Sequence, residues 1–157
     1  MKVGETAPTF ILPATLGGKP FTFDLEKSLK TGPVVVYFYP KAFTSGCTKE
    51  AHDFADHMDA YKKMKATVIG ISGDDIATLN KFSVSDCRSK FPVAADDKLV
   101  VAKSYDSIVA NIFANRTSYV IARDGKIAYV YSDLDPDKHV VNTLAAIRKL
   151  GGASVAR

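Results

Sequence analysis

The sequence predicts an α/β fold: one mixed central sheet with helices on both faces and a β-hairpin in front of it. Three observations carry this. Two continuous apolar, β-branched runs, Pro33–Phe38 (PVVVYF) and Ala66–Ser72 (ATVIGIS), read as strands buried on both faces. Between them apolar residues recur at helical spacing. Late in the chain, two apolar strands flank Arg123-Asp124-Gly125-Lys126 and lead into an amphipathic helix.

The elements follow in order. TFILPATLGGKPFTFDL reads as two short strands around a Gly-Gly turn. The strand Pro33–Phe38 ends in a loop, Tyr39–Phe43. From there Cys47, Ala51, Phe54, Ala55, Met58, Tyr61 and Met64 fall on one face of a helix, while Asp53, Asp56 and Asp59 lie off it. After the strand Ala66–Ser72, Asp74 or Asp75 caps a helix that runs to about Asp86. FPVAAD is a short strand and Leu99–Tyr105 a short helix. Asp106–Asn115 has no clear period and reads as irregular. TSYVIARDGKIAYVYS is the late hairpin. In the closing helix Asp137 is the expected cap, Val140, Leu144, Ile147 and Leu150 the inner face, and Gly151 the stop. Without the first hairpin and the middle insertion the order is β-α-β-α-β-β-α. That is the order of the thioredoxin-like fold, expected here as a single domain over residues 1–157.

Composition narrows the function classes. The chain has 157 residues, 46% hydrophobic and 24% charged, enough for a core without disulfide or metal staples. The formal net charge is +4, and the basic residues are scattered. The densest group, Lys62-Lys63-Met64-Lys65, falls at a helix end, where cations suit the dipole; no nucleic-acid stripe is expected. Met1–Phe10 has no apolar leader segment and no run reaches transmembrane length. With only two cysteines, the expectation is a cytoplasmic protein with reduced thiols and no membrane partner.

One of the two cysteines is oddly placed. Cys47 stands in FYPKAFTSGCTKEA, beyond a strand end and in the first turn of a helix. Sites in open α/β sheets lie beyond the carboxyl ends of strands. The first amides of a helix lack intrahelical partners, and with the dipole they favour a thiolate, so the thiol is expected below its free value of about 8.5. A second reading stands beside this one: Cys47 lies on the apolar stripe and can be a small buried hydrophobe. Position alone does not choose between them.

Pro40, Thr44 and Cys47 form P-x-x-x-T-x-x-C, which resembles the peroxiredoxin active-site pattern. The chain is similar to the peroxiredoxin Q (bacterioferritin comigratory protein) branch over nearly its whole length, including GETAPTFILPA, FPVAAD and RTSYVIARDGKIAYVY. The resemblance implies a thiol peroxidase acting on hydrogen peroxide and organic hydroperoxides, with no cofactor and no metal. It makes Cys47 the peroxidatic cysteine, oxidised to a sulfenic acid. Thr44 would hold the peroxide with its hydroxyl; as a plain helix cap it would make equal chemical sense. Pro40 would pack over the site and limit water, or merely end the strand. Arg116 resembles the family's active-site arginine; the residues alone do not separate it from Arg88 or Arg123. Glu50, one turn after Cys47, would hold Arg116 or stand as a solvated surface carboxylate.

Many relatives carry a resolving thiol five residues after the first cysteine, and here that position is His52. The resemblance therefore implies Cys87, in a segment that reads as a frayed helix end, as the resolving cysteine. An intramolecular Cys47–Cys87 disulfide would be reduced by thioredoxin or a similar dithiol, with glutaredoxin or glutathione as other reductants. Both segments would have to unwind locally for the sulfurs to meet. In the alternative Cys87 is a bystander in a one-cysteine enzyme. A monomer is expected, or a weak homodimer. Apolar Phe43 near the mouth fits tolerance of organic hydroperoxides.

Other readings fit less well. Cys47, His52 and His57 project at about 0°, 140° and 280° around the helix and cannot share a metal ion. Asp133–Asp137 lacks the glycine and the terminal glutamate of a calcium loop. A thioredoxin-type oxidoreductase would show C-x-x-C, where this chain has Cys47-Thr48-Lys49-Glu50. A non-catalytic redox sensor or binding module on the same fold remains as a rival from another class.

Overall fold

The computed structural model describes residues 1–155, with side chains through Gly151. Seven strands form the main sheet: β1 (Ile11–Leu16), β2 (Lys19–Asp24), β3 (Val34–Phe38), β4 (Thr67–Ser72), β5 (Val93–Ala95), β8 (Thr117–Ile121) and β9 (Ile127–Ser132). A separate two-stranded ladder joins β6 (Ile108–Val109) to β7 (Phe113–Ala114). The helices are α1 (Leu25–Leu29), α2 (Ser45–Asp56), α3 (Met58–Lys63), α4 (Ile76–Ser85), α5 (Val100–Ser104) and α6 (His139–Val155).

The strand order is β2-β1-β5-β4-β3-β8-β9. β3 runs parallel to β4 and β4 to β5, while β8 lies antiparallel to β3 on its other side. The first hairpin turns at Gly17 and Gly18, both at positive φ, as a tight two-residue hairpin loop requires. It belongs to the same sheet, because β1 pairs antiparallel with β5 through Ala14↔Ala94 and Thr15↔Val93.

β3 explains its own composition. Val35 and Tyr37 enter one core with residues of α2, α3, α4 and α6; Val34, Val36 and Phe38 enter the other with residues of α1 and α5. A strand covered on both faces has no position for a polar residue, hence the unbroken apolar run. The same alternation, with pairing on both edges, fixes its register. Phe38 at the end of β3 therefore lies opposite Thr117 at the start of β8, which brings Arg116 beside the loop that leads to Cys47.

Four local expectations change. The stripe from Cys47 to Met64 is two helices, because the His57 ring Nδ1 takes the Asp53 carbonyl at 2.8 Å and the His57 amide donates to Phe54 instead at 3.1 Å. Residues 106–115, expected to be irregular, hold β6 and β7, whose two-residue length leaves no period to detect. The cap before α6 is Asp135, whose carboxylate accepts from Asp137 N at 2.9 Å; Pro136 opens a 3-10 turn ahead of the apolar stripe. Asp137 pairs instead with Lys49 on α2. The helix also passes Gly151 and runs to Val155. Among the described residues, no helix is long and apolar enough to cross a membrane.

Candidate active site

The loop after β3 is pinned before it turns into α2. Tyr39 N donates to Ile71 O at 3.1 Å, which extends the strand edge by one residue. The Asp74 carboxylate accepts from Ala42 N and from Ser72 Oγ, both at 2.7 Å. Phe43 then takes a left-handed conformation (φ 65), and its half-exposed ring stands edge-on to Phe82 at 5.2 Å. Of the two candidate helix caps, Asp75 caps α4 by accepting from Thr78 N, and Asp74 holds this loop.

Thr44 is the N-cap of α2 by its backbone, with φ −81 and ψ 155, but its hydroxyl does not cap. It donates to Lys41 O at 2.7 Å. With its proton used, the exposed hydroxyl keeps lone pairs to accept from a bound molecule. Pro40 sits half-buried in the same loop. The first intrahelical bond runs from Thr48 N to Thr44 O at 2.8 Å, so the amides of Ser45, Gly46 and Cys47 precede the hydrogen-bonded ladder.

Cys47 is 2% exposed. Arg116 Nη2 donates to its Sγ at 3.3 Å, and Arg116 Nη1 donates to Glu50 Oε1 at 2.7 Å. The structure thus brings Cys47, Glu50 and Arg116 together and resolves the alternatives for Glu50, which is fully buried. Arg88 pairs with Asp56 and Arg123 donates to Lys30 O, so neither competes for this place. The position of Glu50, one helical turn past Cys47, lets one guanidinium reach both side chains.

Burial pushes the Glu50 carboxyl up to about 8, against the pull of Arg116. Burial also works against the charge of Arg116, but Glu50 and Cys47 outweigh it and its pKa moves up. Among the described residues, Oε2 of Glu50 and Nε of Arg116 are buried without a hydrogen-bond partner. The fully buried His139 lies beside Oε2, with Nδ1 3.7 Å away. Burial holds His139 below its ordinary value.

Cys87 is also fully buried, in the same apolar core as Cys47, and both cysteines are free. Its segment is not the frayed end expected. The amides of Asp86 and Cys87 both donate to Phe82 O, and Ser89 N donates to Ser83 O at 2.9 Å, closing the end of α4. The closure requires Arg88 and Ser89 both at positive φ (52 and 56), where side-chain-bearing residues are strained. Burial, then Asp86, pushes the Cys87 thiol well above its ordinary value. Two surface links tie this segment to α2: His52 Nε2 to Asp86 at 3.0 Å, and Arg88 to Asp56.

Sequence reasoning missed Gly46. A Cβ there would stand 3.0 Å from Arg116 Nη2, so the glycine opens the path by which the guanidinium reaches the sulfur. A glycine inside a first helical turn, where propensity disfavours it, was the available signal. His139 was missed too; a histidine heading an otherwise apolar helix face was its signal.

Comparison with known proteins agrees with this geometry. The AhpC/TSA family matches residues 3–130. The chloroplastic peroxiredoxin Q of Triticum aestivum is 38% identical over 151 residues, covering 94% of this chain and 67% of that protein. Peroxiredoxin Bcp of Escherichia coli is 34% identical over 152 residues, covering 88% of this chain and 90% of that protein. The crystal structure of peroxidoxin BcpB from Mycobacterium tuberculosis superposes with a TM-score of 0.85 at 33% identity, over 95% of this chain and 97% of that one. A reduced 2-Cys peroxiredoxin of Plasmodium vivax reaches a TM-score of 0.88 at 20% identity, over 98% and 99% of the two chains, and so shares the fold. The chain belongs to the AhpC/TSA family, in its peroxiredoxin Q and Bcp branch, and is a thiol peroxidase with a thioredoxin-like fold.

Proposed function

We propose that Cys47 is the peroxidatic cysteine, and the single observation that carries this is Arg116 Nη2 at 3.3 Å from its sulfur. The thiolate attacks the terminal peroxide oxygen. The O–O bond breaks, Cys47 becomes a sulfenic acid, and the departing oxygen takes a proton to leave as water or an alcohol. Arg116 supplies a fixed counter-charge both to the sulfur and to the oxygen that gains charge as it leaves. Thr44 accepts from the peroxide O–H, and Pro40, without an N–H, limits water beside the site. Exposed Phe43 provides an apolar contact that suits organic hydroperoxides as well as hydrogen peroxide.

The Cys87 thiolate then attacks the sulfenic sulfur, a disulfide forms, and the sulfenic oxygen leaves as water. Thioredoxin or a similar dithiol reduces the disulfide by exchange. The strained backbone at Arg88 and Ser89 supports local unwinding at this end of α4. A second reading, a one-cysteine peroxidase, is favoured by one observation, the full burial of Cys87 with its thiol pushed up. We further propose a monomer working in the cytoplasm, where dithiol reductants are at hand; sedimentation and fluorescent tagging test these two points.

The deciding experiment is mass spectrometry of peroxide-treated protein with thioredoxin-coupled turnover. Cys47→Ser should lose all peroxide reduction. Cys87→Ser should complete one turnover and stall as the sulfenic acid. Full cycling of Cys87→Ser with thioredoxin would establish the one-cysteine reading instead.

A further inference from the structure

Glu50 Oε1 accepts from Arg116, yet buried Oε2 has no hydrogen-bond partner among the described residues. A buried oxygen in that condition is costly unless its surroundings fit its protonation state. What faces it is the imidazole of His139, at the start of α6. The Nε2 of that ring lies 2.8 Å from the backbone carbonyl of Asp133. A carbonyl only accepts, so Nε2 carries the ring proton and Nδ1 presents a lone pair. That lone pair accepts from the Ser118 hydroxyl at 2.8 Å, and Glu50 Oε2 lies 3.7 Å from the same nitrogen, beyond hydrogen-bond reach but close enough to feel its partial negative charge. The ring is fixed further by Tyr131, edge-on at 4.8 Å.

We propose that His139 is a positioning residue for the reaction at Cys47, acting through Glu50. Its electronegative Nδ1, facing Oε2 across 3.7 Å, favours a protonated oxygen there over a bare carboxylate oxygen, leaving Oε1 as the acceptor that orients Arg116 toward the sulfur. A neutral Glu50 also leaves the positive charge of Arg116 uncompensated, and therefore available to Cys47 and to the departing oxygen. The raised carboxyl and the lowered imidazole agree with one proton resting on the carboxyl side. His139 reaches Arg116 by a second, backbone route: Asp133 O accepts from the ring, and Asp133 N donates to Arg116 O at 3.2 Å. The two routes make different predictions.

The inference rests on Cys47 as the peroxidatic residue, and the test separates the two. The first-turnover rate of Cys47 oxidation by hydrogen peroxide is read by rapid alkylation and mass spectrometry. His139→Leu should slow it about tenfold through a loosened Arg116. His139→Asn, which keeps a polar atom near Nδ1, should stay within about threefold of wild type, and His139→Gln, which reaches only the Nε2 position, should fall like the leucine. In a Glu50→Gln background the leucine should add less than about twofold, because an amide presents its oxygen to Arg116 without help. Equal losses from His139→Leu in both backgrounds, or rescue by glutamine rather than asparagine, overturn the inference and leave a merely structural histidine. Should the leucine variant fail to fold by circular dichroism, the asparagine–glutamine comparison decides alone. A wild type that forms no sulfenic acid at Cys47 overturns the reading of the site and this inference with it; a reactive wild type with an unmoved leucine variant overturns the inference only.

Discussion

Replacing Glu50 by glutamine should remove a pH dependence from the stability of the whole protein. The carboxyl is fully buried and loses its proton near 8 in the fold, against an ordinary value of 4.5. Between those values the folded chain holds a proton that the unfolded chain has released. Its contribution is therefore fully present below pH 4.5 and is lost as pH rises through 8. Each pH step inside the window removes about 1.4 kcal/mol, so the whole window removes up to about 5 kcal/mol. That is a large part of the stability of a domain this size, for which 5–15 kcal/mol is typical. Glutamine keeps the shape and still accepts from Arg116 Nη1, but has no proton to lose. Urea unfolding of the reduced protein at pH 5, 6, 7, 8 and 9 measures this. Measured against Glu50→Gln, wild type should lose about 1.4 kcal/mol with each pH unit up to about 8, so that the glutamine variant is the more stable protein from pH 6 upward and its lead is greatest at pH 8 and 9. His139, held low by burial, loses stability in the opposite direction as pH falls, but it does so in both proteins and cancels in the difference. Parallel curves for the two proteins would show that Glu50 is ionised in the fold at neutral pH, and the reasoning would fail.

Three further outcomes are expected. Gly46→Ala should leave stability unchanged or slightly higher, since alanine favours a helix by about 1 kcal/mol, yet slow Cys47 oxidation about tenfold by pressing a methyl 3.0 Å from Arg116 Nη2; stopped-flow rates with urea unfolding check both halves. Asp86→Asn should release the His52 link and speed formation of the Cys47–Cys87 disulfide by up to about fivefold, the equivalent of the 1 kcal/mol such a part-exposed pair is worth; timed quenching and non-reducing mass spectrometry read it. Ser89→Gly should relieve left-handed strain, raise stability by about 0.5 kcal/mol and slow the same disulfide about twofold; a faster disulfide would mean that the strain plays no part in opening.

What the sequence disclosed depended on the range of the physics involved. Strands buried on both faces announce themselves as apolar runs, and β3 and β4 were legible for that reason. The helix–strand order followed from period alone. The break at His57 was not legible, because it turns on a ring nitrogen competing for one carbonyl, which leaves the apolar stripe intact. Among the site residues, Cys47 was legible from position and the resemblance together. Arg116 was not legible from the residues themselves: Arg88, Arg116 and Arg123 are alike until strand register puts Thr117 opposite Phe38. Glu50 stood open between two readings for a related reason. A carboxylate one turn from a cysteine looks like any surface acid until a cation from a distant strand arrives to cover it.

The two cysteines pose a mechanical problem whose answer lies in how their segments are held. Both are buried in one core, so the site cannot be finished by two exposed thiols meeting in solvent. For the disulfide proposed above to form, one segment must open. α2 is the more expensive choice, because Cys47 is tied to Arg116 and through it to Glu50 and β8. The end of α4 is held differently: by backbone bonds to Phe82 and Ser83, by the burial of one small thiol, and by surface links to His52 and Asp56. Against these stand two consecutive left-handed residues, each costing about 1–2 kcal/mol that unwinding returns. Strain stored beside a buried thiol makes little sense for a residue needed only as packing. It makes sense for one that must leave the core once in every cycle, so the backbone at Arg88 and Ser89 argues for a resolving role more directly than the burial of Cys87 argues against it.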